Sequence, residues 1–384
     1  MRCNILHTGN GTLFATLVVF TLAIAGCAPS DGSKELDRGR EAYGIGDLKK
    51  AEKMLTKSVE LSGGGVDATL LLARVKMELG EATEATNLAA RAFAVAGDDA
   101  DVRLVYAQAA WHAKDIGLAA SRFASVANDT KLTPAVRAQG WTGVGVVEMA
   151  RENRHLARIA FMRAIRLDRR NAAAWYHLGL VYRDAFGYYE AALEQFEIFV
   201  RLEASAGPRV QRVQRTTIPA LKDTIARETA NRAGVSKRDS GASATHLAKA
   251  ESAWKSGSAK AARSAYEAAL SADPLSYPAA VGLAKAWLKT DASKAGQTKA
   301  FEAYRTACSL RPGAISTFMA AGDLAARLGY NAQAVEIFSR AVAASPSSIQ
   351  ALDGLIRALQ RAGGQKEAAR AYQLYRESIP LKRK

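Results

Sequence analysis

The sequence predicts an all-α fold in which pairs of helices repeat along the chain and stack on one another. Hydrophobic residues make up 49% of the 384 residues and aromatic residues only 7%, so the apolar content is mostly Ala, Leu and Val, the residues of closely packed helices. Glycines and alanines are spread evenly instead of marking separate compact blocks. Small and bulky residues recur every 34 residues, the length of a helix-turn-helix unit.

The first element is an apolar segment near the N-terminus. Leu13–Ala25 is a thirteen-residue apolar run, with Thr16 and Thr21 as its two polar residues, that follows Arg2 and a polar stretch, as in a signal peptide. A helix of that length spans about 20 Å, which is too short for a hydrocarbon core of about 30 Å. A permanent transmembrane helix is therefore disfavoured, and residues 1–26 are predicted to be a signal peptide.

The segment Ile24-Ala25-Gly26-Cys27 resembles the lipobox of bacterial lipoproteins. This resemblance implies cleavage before Cys27, lipidation of that cysteine and a tether over residues 27–31, and two or more acyl chains give stable anchoring. Ala28 is not the aspartate that retains such lipoproteins in an inner membrane, so the resemblance implies an outer-membrane anchor facing the periplasm. The alternative is an ordinary cleaved signal with a chance cysteine.

The repeat itself resembles the tetratricopeptide repeat. The clearest match is the fifth unit, where Trp175, Leu178, Gly179 and Tyr182 reproduce the pattern Trp-x2-Leu-Gly-x2-Tyr. Alanine at place 20 of each unit allows its two helices to approach, and the residue at place 24, large in all but one unit, fills the space beside it. The place-20 residues are Ala51, Ala85, Ala119, Ala157, Ala192, Ala262, Ala300, Ala334 and Ala368, and the place-24 residues are Leu55, Ala89, Phe123, Phe161, Phe196, Tyr266, Tyr304, Phe338 and Tyr372. Proline at place 32 ends the second helix of the last four units, at Pro274, Pro312, Pro346 and Pro380.

Nine units in two blocks result, and the resemblance implies a right-handed superhelix whose concave groove is lined by the first helix of each unit. Five units form block 1 (32–206) and four form block 2 (243–382), with insertions at 134–137, near 187 and near 291–296. The units are 32–65, 66–99, 100–133, 138–171, 172–206, 243–276, 277–314, 315–348 and 349–382.

Residues 207–242 interrupt the repeat and carry eight basic and three acidic residues, a net charge of +5. Ile218–Ala233 is predicted to be one amphipathic helix with a proline near its first turn, and residues 235–243 a flexible joint. This helix either caps the fifth unit or belongs to a basic hinge between the two blocks.

In the tetratricopeptide family, places 2, 5, 9 and 12 of the first helix point into the groove. The candidate groove residues are Leu36, Arg40, Tyr43, Leu70, Arg74, Met77, Leu104, Gln108, Trp111, Met149, Tyr176 and Trp254. Together they predict an apolar, partly aromatic stripe edged by arginine, suited to a protein partner with apolar anchors and some acidic character. The alternative for each is packing against the second helix of its own unit. Block 2 presents a more polar surface at these places, so the two blocks are not expected to hold the same ligand.

The sequence carries no catalytic or metal-binding motif: neither His-Glu-x-x-His, nor Gly-x-Ser-x-Gly, nor a phosphate loop occurs. Its five histidines lie far apart and are interpreted as structural or surface residues. Cys308 is the one cysteine left after Cys3 and Cys27 are assigned to the signal and the anchor, and it is predicted to lie in the core. We therefore predict no enzyme activity, no metal and no cofactor.

The chain is basic, with a formal net charge of +16 that becomes +15 when the signal and its Arg2 are removed. Nucleic acid is disfavoured as a partner because an exported chain meets little of it and no stacking-aromatic motif accompanies the arginines. Anionic lipid, lipopolysaccharide or an acidic protein face fits better. The sequence thus predicts a lipid-anchored interaction scaffold of the bacterial envelope, and the resemblance implies pilus, secretion or outer-membrane assembly. The alternative is a subunit that binds an envelope glycan or takes part in polysaccharide export.

Overall fold

The computed structural model describes residues 32–63, 65–203, 207–234 and 238–379. Within these ranges every regular element is a helix, which confirms the all-α prediction. The predicted signal, Cys27 and Pro380 lie outside the described residues. The first ten helices are α1 Ser33–Gly44, α2 Leu48–Leu61, α3 Val66–Glu78, α4 Ala82–Ala96, α5 Ala100–His112, α6 Ile116–Asn128, α7 Pro134–Ala150, α8 Arg154–Leu167, α9 Ala172–Leu180 and α10 Tyr189–Leu202. The next ten are α11 Pro208–Arg212, α12 Ile218–Gly234, α13 Ser240–Lys255, α14 Ala259–Ala272, α15 Tyr277–Thr290, α16 Lys294–Leu310, α17 Ile315–Leu328, α18 Asn331–Ala344, α19 Ile349–Ala362 and α20 Lys366–Glu377.

Each 34-residue unit holds one helix pair, which we call an A helix followed by a B helix. The alanines at place 20 are all buried, eight of them with no exposed surface and Ala368 with 9%. The place-24 side chains are buried as well, none more than 6% exposed. The recurring small and large residues of the sequence therefore form the interior of the stack.

Glycines on the A helices make room for the large B-helix residues. A methyl group at Gly145 would clash with the ring of Phe161 in the same pair, where it would lie 2.6 Å from Cζ. One at Gly282 would clash with the ring of Tyr266 in the preceding pair, where it would lie 2.7 Å from Cδ1. A large side chain at place 24 is thus held from two sides, by its own A helix and by the A helix of the next pair.

The insertions seen in the sequence are absorbed by helices. Residues 134–137 add a turn to α7, whose Pro134 occupies the first turn where its missing N–H costs nothing. The second four-residue insertion lengthens α16, which begins at Lys294. The single extra residue near 187 accompanies a π-helical segment at Val181–Phe186, and such segments accommodate one additional residue in a helix.

The turn between the A and B helices requires a left-handed residue. Gly80 adopts φ 85° there, whereas Lys114 and Glu152 occupy the equivalent turns with φ 61° although they have side chains. Three B helices of the second half, α14, α16 and α18, end two residues before proline, as α14 does at Ala272 before Pro274.

A buried lysine ties three helices together near the start of the stack. Lys76 of α3 has a side chain only 8% exposed, and its Nζ donates to Glu52 Oε1 of α2 at 2.6 Å and to Glu81 Oε2 at 2.5 Å. Glu84 Oε2 of α4 lies 2.9 Å away. Burial alone would lower the pKa of Lys76, but the three carboxylates outweigh it and the pKa is raised.

The helix predicted at Ile218–Ala233 is confirmed as α12, Ile218–Gly234. The prediction missed the helical residues before it, because α11, a π-helical segment at Val213–Thr217 and α12 follow one another without a break. Pro219 explains the π segment, since proline supplies no N–H to the preceding turn and its ring clashes with the carbonyl four residues earlier. Val210 and Val213 are buried.

Contacts within the chain divide it into two compact units. Among the described residues, unit 1 comprises 32–181 and Gln195–Thr217, and unit 2 comprises Tyr182–Glu194 and 218–379. In unit 2 the turn before α10 packs on α18, where the Tyr188 hydroxyl donates to the carbonyl of Glu336 at 3.4 Å and the Arg340 guanidinium lies 5.3 Å from the Tyr188 ring. Cys308 is buried in unit 2, as predicted, and burial raises the pKa of its thiol to about 12.

Candidate partner-binding surface

The A helices of unit 1 lie side by side. Helix α1 contacts α3, α3 contacts α5, α5 contacts α7 and α7 contacts α9. The candidate groove residues of unit 1 all lie on these helices, and we call the face that carries places 9 and 12 the A-helix surface.

The leucines at place 5 belong to the core more than to this surface. Leu70 is 8% exposed and Leu104 is 5% exposed. Leu36 is partly buried and packs against the hydrophobic core that helices α1 to α5 form. An aliphatic side chain at place 5 is covered by its own and neighbouring helices, so Leu70 and Leu104 offer almost no area to a ligand. Their prediction as groove residues is corrected to core residues.

The arginines at place 9 pair with aspartates of the next A helix. Arg40 Nη2 lies 3.3 Å from Asp67 Oδ2, and Arg74 pairs in the same way with Asp101. In each pair the aspartate follows the arginine by 27 residues. This spacing could have been read from the sequence. The arginine edge is therefore largely neutralised, and an acidic partner would have to displace these aspartates.

The pairing stops at α5. Gln108 holds place 9 there and is exposed, and Gln139 stands at place 2 of the next unit, where the aspartate would be. Trp111 of α5 and Met149 of α7 are half-buried at place 12. The A-helix surface between α5 and α7 is accordingly uncharged at these places and partly aromatic.

Place 12 nearer the N-terminus is more polar. The Tyr43 hydroxyl donates to Glu78 Oε1 at 2.6 Å, and burial followed by this carboxylate raises the pKa of Tyr43. Met77 is half-buried beside the same core cluster. Tyr43 and Met77 thus have part of their surface taken up by the protein itself.

Tyr176 lies in an aromatic cluster of unit 1 and contacts the start of α11. Its ring centroid is 5.9 Å from that of Phe196 and 5.2 Å from that of Phe199, and the Arg209 guanidinium lies 5.2 Å from its ring. His177 beside it stacks on Phe161, and burial together with Arg209 lowers the pKa of His177 to about 4. These contacts favour the capping alternative for the start of the 207–242 segment and leave Tyr176 less available than predicted.

Trp254 is the candidate groove residue of unit 2. It lies on α13 with 38% of its surface exposed, among the most exposed large apolar side chains of the described chain. Among the residues the structure places, no three His, Cys, Asp or Glu side chains gather as a metal site. The described helices also include none that is both long and apolar enough to cross a membrane.

Comparison with known proteins identifies the repeat. Family models for the tetratricopeptide repeat match residues 42–109 and residues 247–315. The chain is therefore a protein containing tetratricopeptide repeats, a class typical of protein-interaction scaffolds without enzymatic activity. A search of curated proteins found no match.

Several solved structures resemble the chain at low identity. The structure of Pseudomonas aeruginosa PilF is 17% identical with a TM-score of 0.39, over 64% of this chain and 93% of that one. A crystal structure of MamA is 17% identical with a TM-score of 0.36, over 48% of this chain and 94% of that one. MamA from Desulfovibrio magneticus RS-1 is 14% identical with a TM-score of 0.38, over 45% and 94%. Likenesses at these scores carry no argument about function.

Proposed function

We propose that this chain is a lipid-anchored interaction scaffold of the bacterial envelope that binds a segment of a partner protein on its A-helix surface. The binding site centres on α5 and α7. Residues 27–31 tether the repeats to the outer membrane on its periplasmic side. The bound partner is a component of an assembly machinery of the envelope, of the pilus, secretion or outer-membrane type.

The observation that carries the binding site is the change in character of the A-helix surface at Gln108. Toward the N-terminus each place-9 arginine is paired with an aspartate, and such exposed pairs contribute little to binding unless they are displaced. At α5 and α7 the surface offers Gln108, Trp111 and Met149 instead. A half-buried tryptophan on one A helix and a flexible methionine on the next are side chains of the kind that contribute most to protein interfaces.

Support for the tether comes from the sequence alone, from Ile24-Ala25-Gly26-Cys27 after an apolar run. Expression of the full chain with radiolabelled palmitate tests it, because the wild type should incorporate label and fractionate with outer membrane. Cys27→Ser should do neither. Label retained by that variant would exclude the proposed anchor.

The partner site is tested by photocrosslinking in cells. A benzophenone amino acid replaces Gln108 in one strain and, as a matched control, Asn87 in another, because Asn87 is an exposed amide on the B helix α4. We expect a discrete crosslinked protein from position 108 alone, and its loss when Trp111→Ala is added. Equal crosslinks from both positions, or crosslinks indifferent to Trp111→Ala, would remove the A-helix surface from the proposal.

The second candidate, an envelope glycan, is favoured by the net charge of +16. Sugar binding usually needs free aromatic faces, yet here several carry cations: Trp287 has Arg263 at 4.1 Å and Lys299 at 4.5 Å, and Trp141 has Arg163 at 4.5 Å. Capture on purified acidic polysaccharide that disappears in high salt, while the protein crosslink persists, separates the two functions.

A further inference from the structure

Unit 2 contains a cleft between two successive A helices, within the more polar surface predicted for block 2. Its volume is about 260 Å³, and it lies between α17 and α19 with the ring of Phe338 from α18 among its lining residues. Ala326 and Ala358 line it as well. Larger side chains at these two positions would fill the cleft, so the small residues create the space.

The cleft is lined by more cations than anions. Arg327 projects from α17 and Arg357 and Arg361 from α19, against the one carboxylate of Asp323. Three positive charges minus one negative charge leave +2. Asp323 Oδ1 lies 4.0 Å from Arg357 Nη2, and neither Arg327 nor Arg361 forms a salt bridge within the part of the chain that the structure describes.

This arrangement differs from the A-helix surface of unit 1. There each place-9 arginine has its own aspartate, as in the pair of Arg40 and Asp67. In the cleft of unit 2 two guanidinium groups are left over, and all three arginines are exposed to an incoming ligand. Guanidinium groups bind carboxylates with two parallel hydrogen bonds, which makes arginine the residue suited to recognise them.

We propose that this cleft binds glutamate or aspartate side chains of an acidic protein segment. The occupant follows from the combination of a charged rim and an apolar floor: a glutamate can lay its methylene groups against Ala326, above the edge of the Phe338 ring, while its carboxylate meets Arg327 and Arg361. Inorganic phosphate would use the arginines but gain nothing from the apolar lining. The site is separate from α5 and α7, so the envelope-scaffold proposal and this one can fail independently.

The test uses the full chain and a fluorescein-labelled hexaglutamate peptide, with binding followed by anisotropy at low and moderate salt. We expect salt-sensitive binding that weakens about tenfold in the double variant Arg327→Gln, Arg361→Gln, as loss of two charge-assisted contacts predicts. The matched control Lys366→Gln, Arg370→Gln removes the same charge from exposed positions of α20 and should keep affinity within about twofold.

A third variant, Ala326→Leu, fills the cleft without changing the charge and should also weaken the peptide, with helicity and thermal unfolding checked by circular dichroism. Equal losses in the cleft and control doubles would overturn the proposal, because binding would then reflect overall charge. So would the absence of binding to the wild type, or displacement of the peptide by inorganic phosphate at equimolar concentration, which would indicate a small-anion site. Losses confined to the cleft variants, with phosphate a poor competitor, would support it.

Discussion

The ring of Phe338 in α18 is held between two glycines, and adding one methyl group at either glycine tests how tightly the repeats are packed. A Cβ at Gly322 of α17 would lie 2.6 Å from Phe338 Cζ, and a Cβ at Gly354 of α19 would lie 2.5 Å from Cδ1. Phe338 is 2% exposed. Because the glycines contact the ring from its own pair and from the next, the ring cannot move away from one without approaching the other.

The expected magnitude follows from two opposing effects. Overpacking a well-filled core costs about 1–3 kcal/mol. Replacing glycine by alanine inside a helix stabilises the folded state by up to about 1 kcal/mol. We therefore expect Gly354→Ala and Gly322→Ala each to lower the free energy of unfolding by about 1–2 kcal/mol.

The assay is urea unfolding followed by far-ultraviolet circular dichroism, comparing midpoints at constant slope. Gly241→Ala is the matched control in unit 2, because its nearest neighbour, Asp239 Oδ1, lies 3.4 Å away, and it should be neutral or stabilising. Adding Phe338→Leu to Gly354→Ala should cost less than the sum of the two single changes, since the smaller side chain vacates the space that the methyl needs. A Gly354→Ala protein as stable as the control, or strict additivity in the double variant, would refute the packing argument.

Three further predictions concern unit 1. Burial lowers the pKa of His177 to about 4, below its usual value of about 6.5, so the unfolded chain binds a proton in this range that the native state does not. Stability should therefore fall by up to about 3 kcal/mol from pH 6.5 to pH 4 through this residue. In pH-dependent urea titrations His177→Phe should remove this contribution, while His155, whose pKa burial lowers to about 3, keeps its own. Lys76→Met should lower the free energy of unfolding by about 2 kcal/mol, since it leaves Glu52, Glu81 and Glu84 close together without their cation. This loss of stability should shrink in acid, where the carboxylates become protonated. A loss that is the same at all pH values would contradict this cause. Lys114→Gly should raise the free energy of unfolding by about 0.5 kcal/mol, because glycine adopts the left-handed backbone conformation without steric strain. The reverse change at the equivalent turn, Gly80→Lys, should lower it by about 1 kcal/mol. Thermal unfolding should show a higher melting temperature for the first variant and a lower one for the second.

The sequence was sufficient for the features that repeat. Place 20, place 24 and the prolines after the B helices each occur many times, so their pattern identifies the helix pairs and the interior residues before any coordinates are known. The 27-residue spacing between Arg40 and Asp67 recurs between Arg74 and Asp101, so this pairing is also periodic and can be read from the sequence.

Features that occur once could not be read from the pattern. The continuous helix from Pro208 depends on a π segment that lets Pro219 remain helical, although proline usually marks a helix boundary. Burial of Leu70 and Leu104 depends on how closely neighbouring helices approach, which the sequence does not specify. The arginine cleft arises from small residues on two successive A helices, and its volume depends on how closely these helices approach, which the sequence does not specify.

The claim that a partner protein binds across α5 and α7 is tested most directly by hydrogen–deuterium exchange. The full chain would be measured alone and with the protein recovered by crosslinking at position 108. We predict slower exchange in peptides covering α5 and α7, around Gln108, Trp111 and Met149, and little change in the B helices α4 and α6. Protection confined to those B helices, or no protection in unit 1, would contradict the proposed binding surface.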